Sequence, residues 1–121
     1  MLLLGVHHVA LCVPDVEEAL AFYVDKLGCK LRDDRPDFGF PGAWLNVGDQ
    51  QVHLMQHMVK PAQLQHFAFQ VSDLDTAVAE LEAKGVAVRR SEYFPGAGRQ
   101  AFLVDPAGNE IELNEPDAPS R

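Results

Sequence analysis

The chain is short of cysteine and of basic residues, and each shortage excludes a class of protein. Two cysteines, Cys12 and Cys29, are too few for a disulfide framework and fit a reducing compartment. Ten basic residues against eighteen acidic ones give a formal net charge of −8, so the chain as a whole would repel phosphate backbones and anionic bilayers. We therefore expect neither a nucleic-acid partner nor a membrane partner.

Long apolar runs are also absent. The apolar opening at residues 1–6 is shorter than the apolar core of a signal peptide and has no basic leader. It runs directly into two histidines, so the sequence predicts neither secretion nor a membrane span. These observations favour a cytoplasmic location.

What the chain does contain is enough apolar sequence for a real core. Its 121 residues are 47% apolar and 23% charged, which excludes a disordered chain. A chain of this size buries roughly two thirds of its unfolded surface on folding. We expect one domain over residues 1–121.

The sequence repeats itself. The stretch 8–15 recurs as 66–73, an offset of 58 residues. The register then slips by one residue, because Gly28 corresponds to Gly85. Further on, residues 51–54 match residues 110–113 at an offset of 59. Such self-similarity is typical of a duplicated structural unit.

The repeat divides the chain into a first module at about 5–57, a second at about 64–115 and a loose tail at 116–121. Each module begins with an alternating stretch that predicts a strand, followed by a helix capped by Asp15 or Asp73. About three short strand-like runs, separated by glycine and proline, follow each helix. The order of strand, helix and three strands, found twice, predicts an α+β fold.

The repeat also aligns four residues of types that bind metals. His8 corresponds to His66, and His53 corresponds to Glu112. Alternation along the strands puts each ligand on the face opposite its apolar neighbours. If the modules pair about a pseudo-two-fold axis, the four side chains converge. Three imidazoles and one carboxylate suit zinc, manganese, iron, cobalt or nickel better than magnesium or calcium.

Other reactive residues have simpler interpretations. His7 faces away from His8, and His57 lies near the end of a predicted strand, so both are expected to be ordinary side chains. Cys12 could line the hollow beside His8, but no base is placed to activate it, so an inert thiol is favoured. Three cations could meet an anionic substrate, although solvated charge is the more frequent role for each: Arg32, Lys60 and Arg99.

Several segments together resemble the vicinal oxygen chelate superfamily, which includes glyoxalase I, fosfomycin-modifying thiol transferases, extradiol dioxygenases and methylmalonyl-CoA epimerase. The segments are HVAL at 8–11, HFAF at 66–69 and DPAGNEIEL at 105–113. The resemblance covers about residues 5–115. FPGAWL at 40–45 and VHLMQ at 52–56 further resemble the glyoxalase-I-like branch.

The resemblance implies the glyoxalase/bleomycin resistance/dioxygenase fold, in which two βαβββ modules form a cup-shaped mixed sheet. It also implies a homodimer, with the metal site in some members shared between subunits. One divalent ion per site would be held by His8, His53, His66 and Glu112, and Glu112 would also transfer protons. Where glyoxalase I carries glutamate, this chain has His53.

We therefore expect a metal-dependent lyase or isomerase acting on a small oxygenated substrate, with glutathione or another thiol as a candidate co-substrate. Three alternatives stay open: thiol transfer to an epoxide antibiotic of the fosfomycin type, ring-cleaving dioxygenation, and drug binding without catalysis. Dioxygenation would need an iron ion bound by two histidines and one glutamate, and His8, His66 and Glu112 would supply those ligands.

Overall fold

A computed structural model describes residues 1–2, 4–62 and 64–118, and it confirms the predicted α+β fold. The elements are β1 His8–Val13, α1 Val16–Leu20 with a π-helical continuation Ala21–Lys26, β2 Lys30–Leu31, β3 Gly42–Val47, β4 Gln50–Gln56, β5 His66–Gln70, α2 Leu74–Ala83, β6 Arg89–Arg90, β7 Arg99–Val104 and β8 Glu110–Glu115. The order is βαβββ, twice. Among these residues, no helix is long and apolar enough to cross a membrane.

The chain divides into two compact units, residues 1–61 and 62–121. Each unit has its own four-stranded mixed sheet, with strand order β1-β4-β3-β2 in the first and β5-β8-β7-β6 in the second. In each sheet the first strand runs parallel to the last, and the other pairs are antiparallel. The duplicated sequence thus builds the same topology in both units.

The helix of the first unit begins where the sequence predicted, but its second half is π-helical. Asp15 Oδ1 accepts hydrogen bonds from the backbone N–H groups of Glu17 and Glu18, which caps the helix. After Leu20 the helix widens into a π-helical turn, in which the Leu27 N–H donates to the Phe22 carbonyl five residues back. The apolar side of the helix is buried through Val16, Ala19, Phe22 and Tyr23.

The helix of the second unit, α2, remains α-helical throughout. Asp73 caps it by accepting from the Thr76 N–H, and Leu74, Val78 and Leu81 form its buried side. Gly85 follows with φ of 81°, a left-handed conformation that glycine adopts without strain. The core of this unit therefore lies between α2 and one face of its sheet.

Strand register places the predicted ligands at equivalent points of the two sheets. His53 on β4 lies between Ala10 on β1 and Trp44 on β3. Glu112 on β8 lies between Ala68 on β5 and Phe102 on β7. Because alternate residues point to opposite faces, His53 and Glu112 lie on the face opposite their apolar neighbours. Those neighbours are Val52, Leu54, Ile111 and Leu113, all buried.

Candidate metal centre

The first unit brings His8 and His53 together as stacked rings. Their centroids lie 3.9 Å apart at an interplanar angle of 16°. On the other side of His53, the Trp44 ring stacks at 4.5 Å and 13°. His53 is only 9% exposed, whereas His8 is exposed. Three neighbouring strands thus contribute one continuous stack of three rings.

Hydrogen bonds occupy one nitrogen on each ring of this histidine pair. His8 Nδ1 lies 2.9 Å from His7 Nδ1, so the prediction that His7 faces away from His8 is wrong. His53 Nε2 lies 2.8 Å from the amide oxygen Oε1 of Gln51, which accepts its proton. Nε2 of His8 and Nδ1 of His53 make no hydrogen bond to the part of the chain that the structure describes. Each ring therefore keeps one nitrogen for a ligand.

Burial, followed by the positive charges of nearby histidines and arginines, lowers the pKa of His53. The arginines are Arg32 and Arg35. Both effects disfavour the imidazolium, since it would be poorly solvated and close to like charge. A neutral imidazole is the form that binds a metal ion. The surroundings of His53 therefore favour its ligand-competent state.

The second unit brings His66 and Glu112 together. His66 Nε2 lies 3.1 Å from Glu112 Oε1. His66 Nδ1 donates to the Leu64 carbonyl at 3.0 Å, and Glu112 Oε2 accepts from Asn114 Nδ2 at 2.8 Å. Glu112 is 7% exposed. The hydrogen bond to Leu64, and then the contact with Glu112, raise the pKa of His66.

This second pair fits a metal ion by the chemistry of its donors. A bond from Nδ1–H to a backbone carbonyl is the usual outer contact of a metal-bound histidine, and it leaves the Nε2 lone pair for the ion. Two donor atoms each about 2.1 Å from one ion lie about 3 Å apart in octahedral geometry and about 3.4 Å apart in tetrahedral geometry. The separation of 3.1 Å between His66 Nε2 and Glu112 Oε1 lies between these values.

The structure thus places the four predicted ligands as two pairs, one in each unit. Within the described ranges 1–2, 4–62 and 64–118, no group of three or more His, Cys, Asp or Glu residues is close enough to hold a metal ion. His57 lies apart from these pairs and instead contacts Phe40, with the two ring centroids 4.9 Å apart. Cys12 lies opposite Met55 at the other end of β1.

Two of the three cations considered from the sequence are engaged elsewhere. Arg32 pairs with Asp34 at 2.6 Å, and Arg99 pairs with Asp75 at 2.8 Å. Sequence reasoning missed Arg35, which lies over the rings of Phe38 and Phe40. Arg35 lies in an irregular loop, where the sequence has no helical or strand periodicity that would single it out.

With this geometry in place, comparisons with known proteins settle the family. The family model of the Glyoxalase/Bleomycin resistance protein/Dioxygenase superfamily matches residues 5–113. The chain belongs to this superfamily. The resemblance seen in the HVAL, HFAF and DPAGNEIEL segments is thereby confirmed.

Three relatives show the range within the superfamily. The uncharacterized protein YwkD of Bacillus subtilis is 34% identical, with 95% of this chain and 99% of YwkD covered. The mitochondrial methylmalonyl-CoA epimerase of Bos taurus is 26% identical over 90% of this chain and 73% of the epimerase. The crystal structure of TnmS3, an antibiotic binding protein from Streptomyces sp. CB03234, has a TM-score of 0.82 and 30% identity, covering 97% of this chain and 99% of that one.

Proposed function

We propose that the protein is a metal-dependent lyase or isomerase of the glyoxalase-like type, acting on a small oxygenated substrate that chelates the ion. One observation carries this proposal. His8 and His66, and likewise His53 and Glu112, occupy equivalent positions of two sheets, and the donor atoms of His66 and Glu112 lie 3.1 Å apart. Ligand-type residues at four matched positions are unexpected unless they share a role.

In this proposal His8, His53, His66 and Glu112 would hold one divalent ion, which would supply Lewis acidity for negative charge developing on a substrate oxygen. Glu112 is in addition the group that holds or moves a proton, at its Oε1 atom. Its other oxygen is held by Asn114, so the carboxylate keeps its orientation when Oε1 changes partner. Its burial excludes bulk water from the proton-transfer step.

The ligand set has one carboxylate, because His53 stands where glyoxalase I carries glutamate. A divalent ion in this set keeps roughly one net positive charge. Such a site favours anionic or enolisable chelating substrates and offers one carboxylate base. The superfamily name and the epimerase relative both support chemistry of this kind.

A second candidate function, binding of a drug without catalysis, has an observation of its own. Trp44, His53 and His8 form a stack that a planar ligand can extend at one end, because aromatic faces stack favourably. The likeness to the antibiotic binding protein TnmS3 points the same way. This function requires no metal.

Metal affinity of single variants tests the ligand assignment. Glu112→Gln and His66→Gln should each weaken binding of zinc or manganese on the order of a hundredfold or more, since each loses a donor to the ion. Glu82→Gln on the exposed side of α2 and His57→Gln are controls that should keep wild-type affinity. Equal metal content in all four variants would refute the assignment.

Activity measurements then separate the two functions. The protein loaded in turn with zinc, manganese, nickel, cobalt and iron is offered a hemithioacetal of glutathione, an epoxide with a thiol, a catechol and an acyl-CoA epimer. Metal-dependent turnover of one of these supports the enzyme. Absence of turnover, together with tight binding of a planar drug in the presence of a chelator, supports the binding protein.

A further inference from the structure

Arg35 differs from the other arginines of the described chain in its charge environment. Four arginines lie within 4 Å of a carboxylate: Arg32, Arg89, Arg90 and Arg99. Within residues 1–2, 4–62 and 64–118, Arg35 makes no such pair. It is nevertheless half-buried rather than fully solvated. In a chain with a net charge of −8, a half-buried guanidinium without a carboxylate partner among the described residues keeps its charge available to an anion from outside the chain.

The guanidinium of Arg35 is held in place by aromatic faces and a carbonyl. Its central carbon lies 5.0 Å from the centroid of Phe38 and 5.2 Å from that of Phe40. Nη2 donates to the Phe40 carbonyl at 3.2 Å. Nε and Nη1 make no hydrogen bond to the described residues. Ring contacts and one hydrogen bond therefore orient the fork and leave donors for an anion.

The neighbouring backbone accommodates this position of Arg35. A Cβ atom at Gly42 would lie 2.6 Å from Arg35 Nη2 and would also collide with the Leu54 carbonyl. Any larger residue at position 42 would therefore displace either the guanidinium or the strand β4. The position of the arginine thus depends on a glycine in strand β3.

A run of rings joins Arg35 to the candidate ligands of the first unit. The Phe38 ring lies 6.1 Å from the Trp44 ring, which in turn stacks on His53 at 4.5 Å. The charge of Arg35 is among those that lower the pKa of His53. A molecule lying along these rings has one end near a cation and the other near His53, a proposed metal ligand.

We infer that Arg35 is the residue that recognises an anionic group of the substrate, with Phe38 and Trp44 contacting its apolar part. The substrate class is then a small molecule carrying a carboxylate, phosphate or phosphonate group beside an apolar or planar body. This inference rests on the proposed function for the metal chemistry, but the anion-binding step needs no metal. A guanidinium fork matches the oxygens of such groups in pairs.

Trp44 makes the inference directly testable, because it is the only tryptophan of the chain. Its fluorescence is titrated in the presence of a chelator with benzoate, with phenylphosphonate and with neutral benzamide. Wild-type protein should bind the two anions more tightly than benzamide. Arg35→Gln should lose about tenfold or more in affinity for the anions and none for benzamide, since only the charged hydrogen bonds are removed.

Two further variants complete the design. Arg35→Lys keeps the charge but loses the planar fork, so its anion affinity should lie between those of the wild type and Arg35→Gln. Arg90→Gln removes one positive charge from an exposed arginine paired with Asp75 and should bind the anions as the wild type does. If circular dichroism shows that Arg35→Gln is unfolded, Arg35→Lys alone decides. The ratio of benzoate to phenylphosphonate affinity distinguishes carboxylate from phosphonate-type ligands.

The inference is overturned if Arg35→Gln binds the anions as tightly as the wild type, if the wild type does not prefer them over benzamide, or if Arg90→Gln loses as much affinity. Metal affinity should change far less in Arg35→Gln than in Glu112→Gln. If Glu112→Gln leaves metal binding unchanged while Arg35→Gln still loses the anions, the proposed metal function fails and the anion site stands.

Discussion

The side-chain amide of Asn114 makes two hydrogen bonds, and together they indicate that this residue positions Glu112. Its Nδ2 donates to Glu112 Oε2 at 2.8 Å and to the Ala97 carbonyl at 3.0 Å. The carbonyl anchors the amide, and the amide orients the carboxylate. Outer contacts of this kind typically change metal affinity about 10–100-fold when removed.

We therefore expect Asn114→Ala to weaken metal binding by about tenfold, less than the loss of Glu112 itself. Competition with a chromophoric chelator measures this affinity. Asn46→Ala is the matched control, because Asn46 is also a half-buried strand amide but binds Arg32 instead of a candidate ligand. Equal affinities of the two variants would show that Asn114 does not position Glu112.

Cys29 predicts a pH dependence of stability. Burial raises the pKa of its thiol to about 11, whereas an exposed thiol ionises at about pH 8.5 to 9. Above pH 9 the unfolded chain loses this proton and the folded chain retains it. The stability contributed by the neutral thiol is therefore complete below pH 9 and is lost as the pH rises towards 11.

Urea denaturation at pH 8 and pH 10 measures this effect. The wild type should lose about 1 kcal/mol more over this interval than Cys29→Ala, because only the wild type has the thiol to ionise. Val86→Ala serves as control, since it removes buried apolar volume but no titratable group. The free energy of unfolding of Val86→Ala should be lower than that of the wild type at pH 8 and should fall by the same amount between pH 8 and pH 10. If the free energy of unfolding of Cys29→Ala also falls by the wild-type amount, the prediction is contradicted.

Single residues also show why the site was only partly predictable. The four ligand-type residues stand out because the repeat aligns them. Asn114 does not, because the corresponding residue of the first unit is Met55, opposite Cys12. The Leu64 carbonyl that orients His66 is a backbone group with no sequence signal. Arg35 owes its position to ring contacts within one loop, which strand and helix periodicities do not describe.

At the scale of elements, the turn between β7 and β8 sets the register of the strand that carries Glu112. Asp105 is 3% exposed, and its Oδ1 accepts from the N–H groups of Ala107 and Asn109 at 2.9 and 2.8 Å. Its Oδ2 accepts from Asn109 Nδ2 at 2.8 Å. Removal of this carboxylate breaks three hydrogen bonds of half-buried donors.

Asp105→Ala should therefore reduce the free energy of unfolding by about 2–3 kcal/mol, as measured by urea denaturation. Asp49→Asn, in the exposed turn between β3 and β4, is the control and should change stability by less than about 0.5 kcal/mol. A small effect of Asp105→Ala would mean that the turn forms without its side-chain bonds.

Helices and strands were predicted correctly where the local sequence pattern is compatible with only one type of secondary structure. The alternating stretches became β1 and β5, and the capping residues Asp15 and Asp73 begin both helices. The π-helical turn was not predicted, because the apolar spacing of residues 16–27 is compatible with an ordinary helix. Only the hydrogen bond from Leu27 to Phe22 reveals it.

At the scale of the whole molecule, the segment before β1 predicts self-association. Leu4 and Val6 are 91% and 68% exposed, and β1 is an edge strand of its sheet. An exposed apolar segment next to an edge strand is a surface for another chain. The superfamily resemblance, which implies a homodimer, points to a second copy as that chain.

Sedimentation at micromolar concentration should therefore give about twice the 13.4 kDa of one chain. Val6→Asp should shift the population towards the monomer, because a charge cannot be buried unpaired at low cost. Val104→Asp is the control, since Val104 is similarly exposed at 59% but lies on the inner strand β7. A monomeric wild type would contradict the prediction.

The π-helical turn at Ala21–Lys26 indicates how the two units diverged in length after the duplication. The matched residues Lys26 and Lys84 are 58 positions apart, but the glycines that follow, Gly28 and Gly85, are 57 apart. One copy thus carries a single extra residue, and the wider turn accommodates it before β2 begins. The duplicated halves could therefore diverge in length within a helix while both sheets kept the pairing on which their histidines depend.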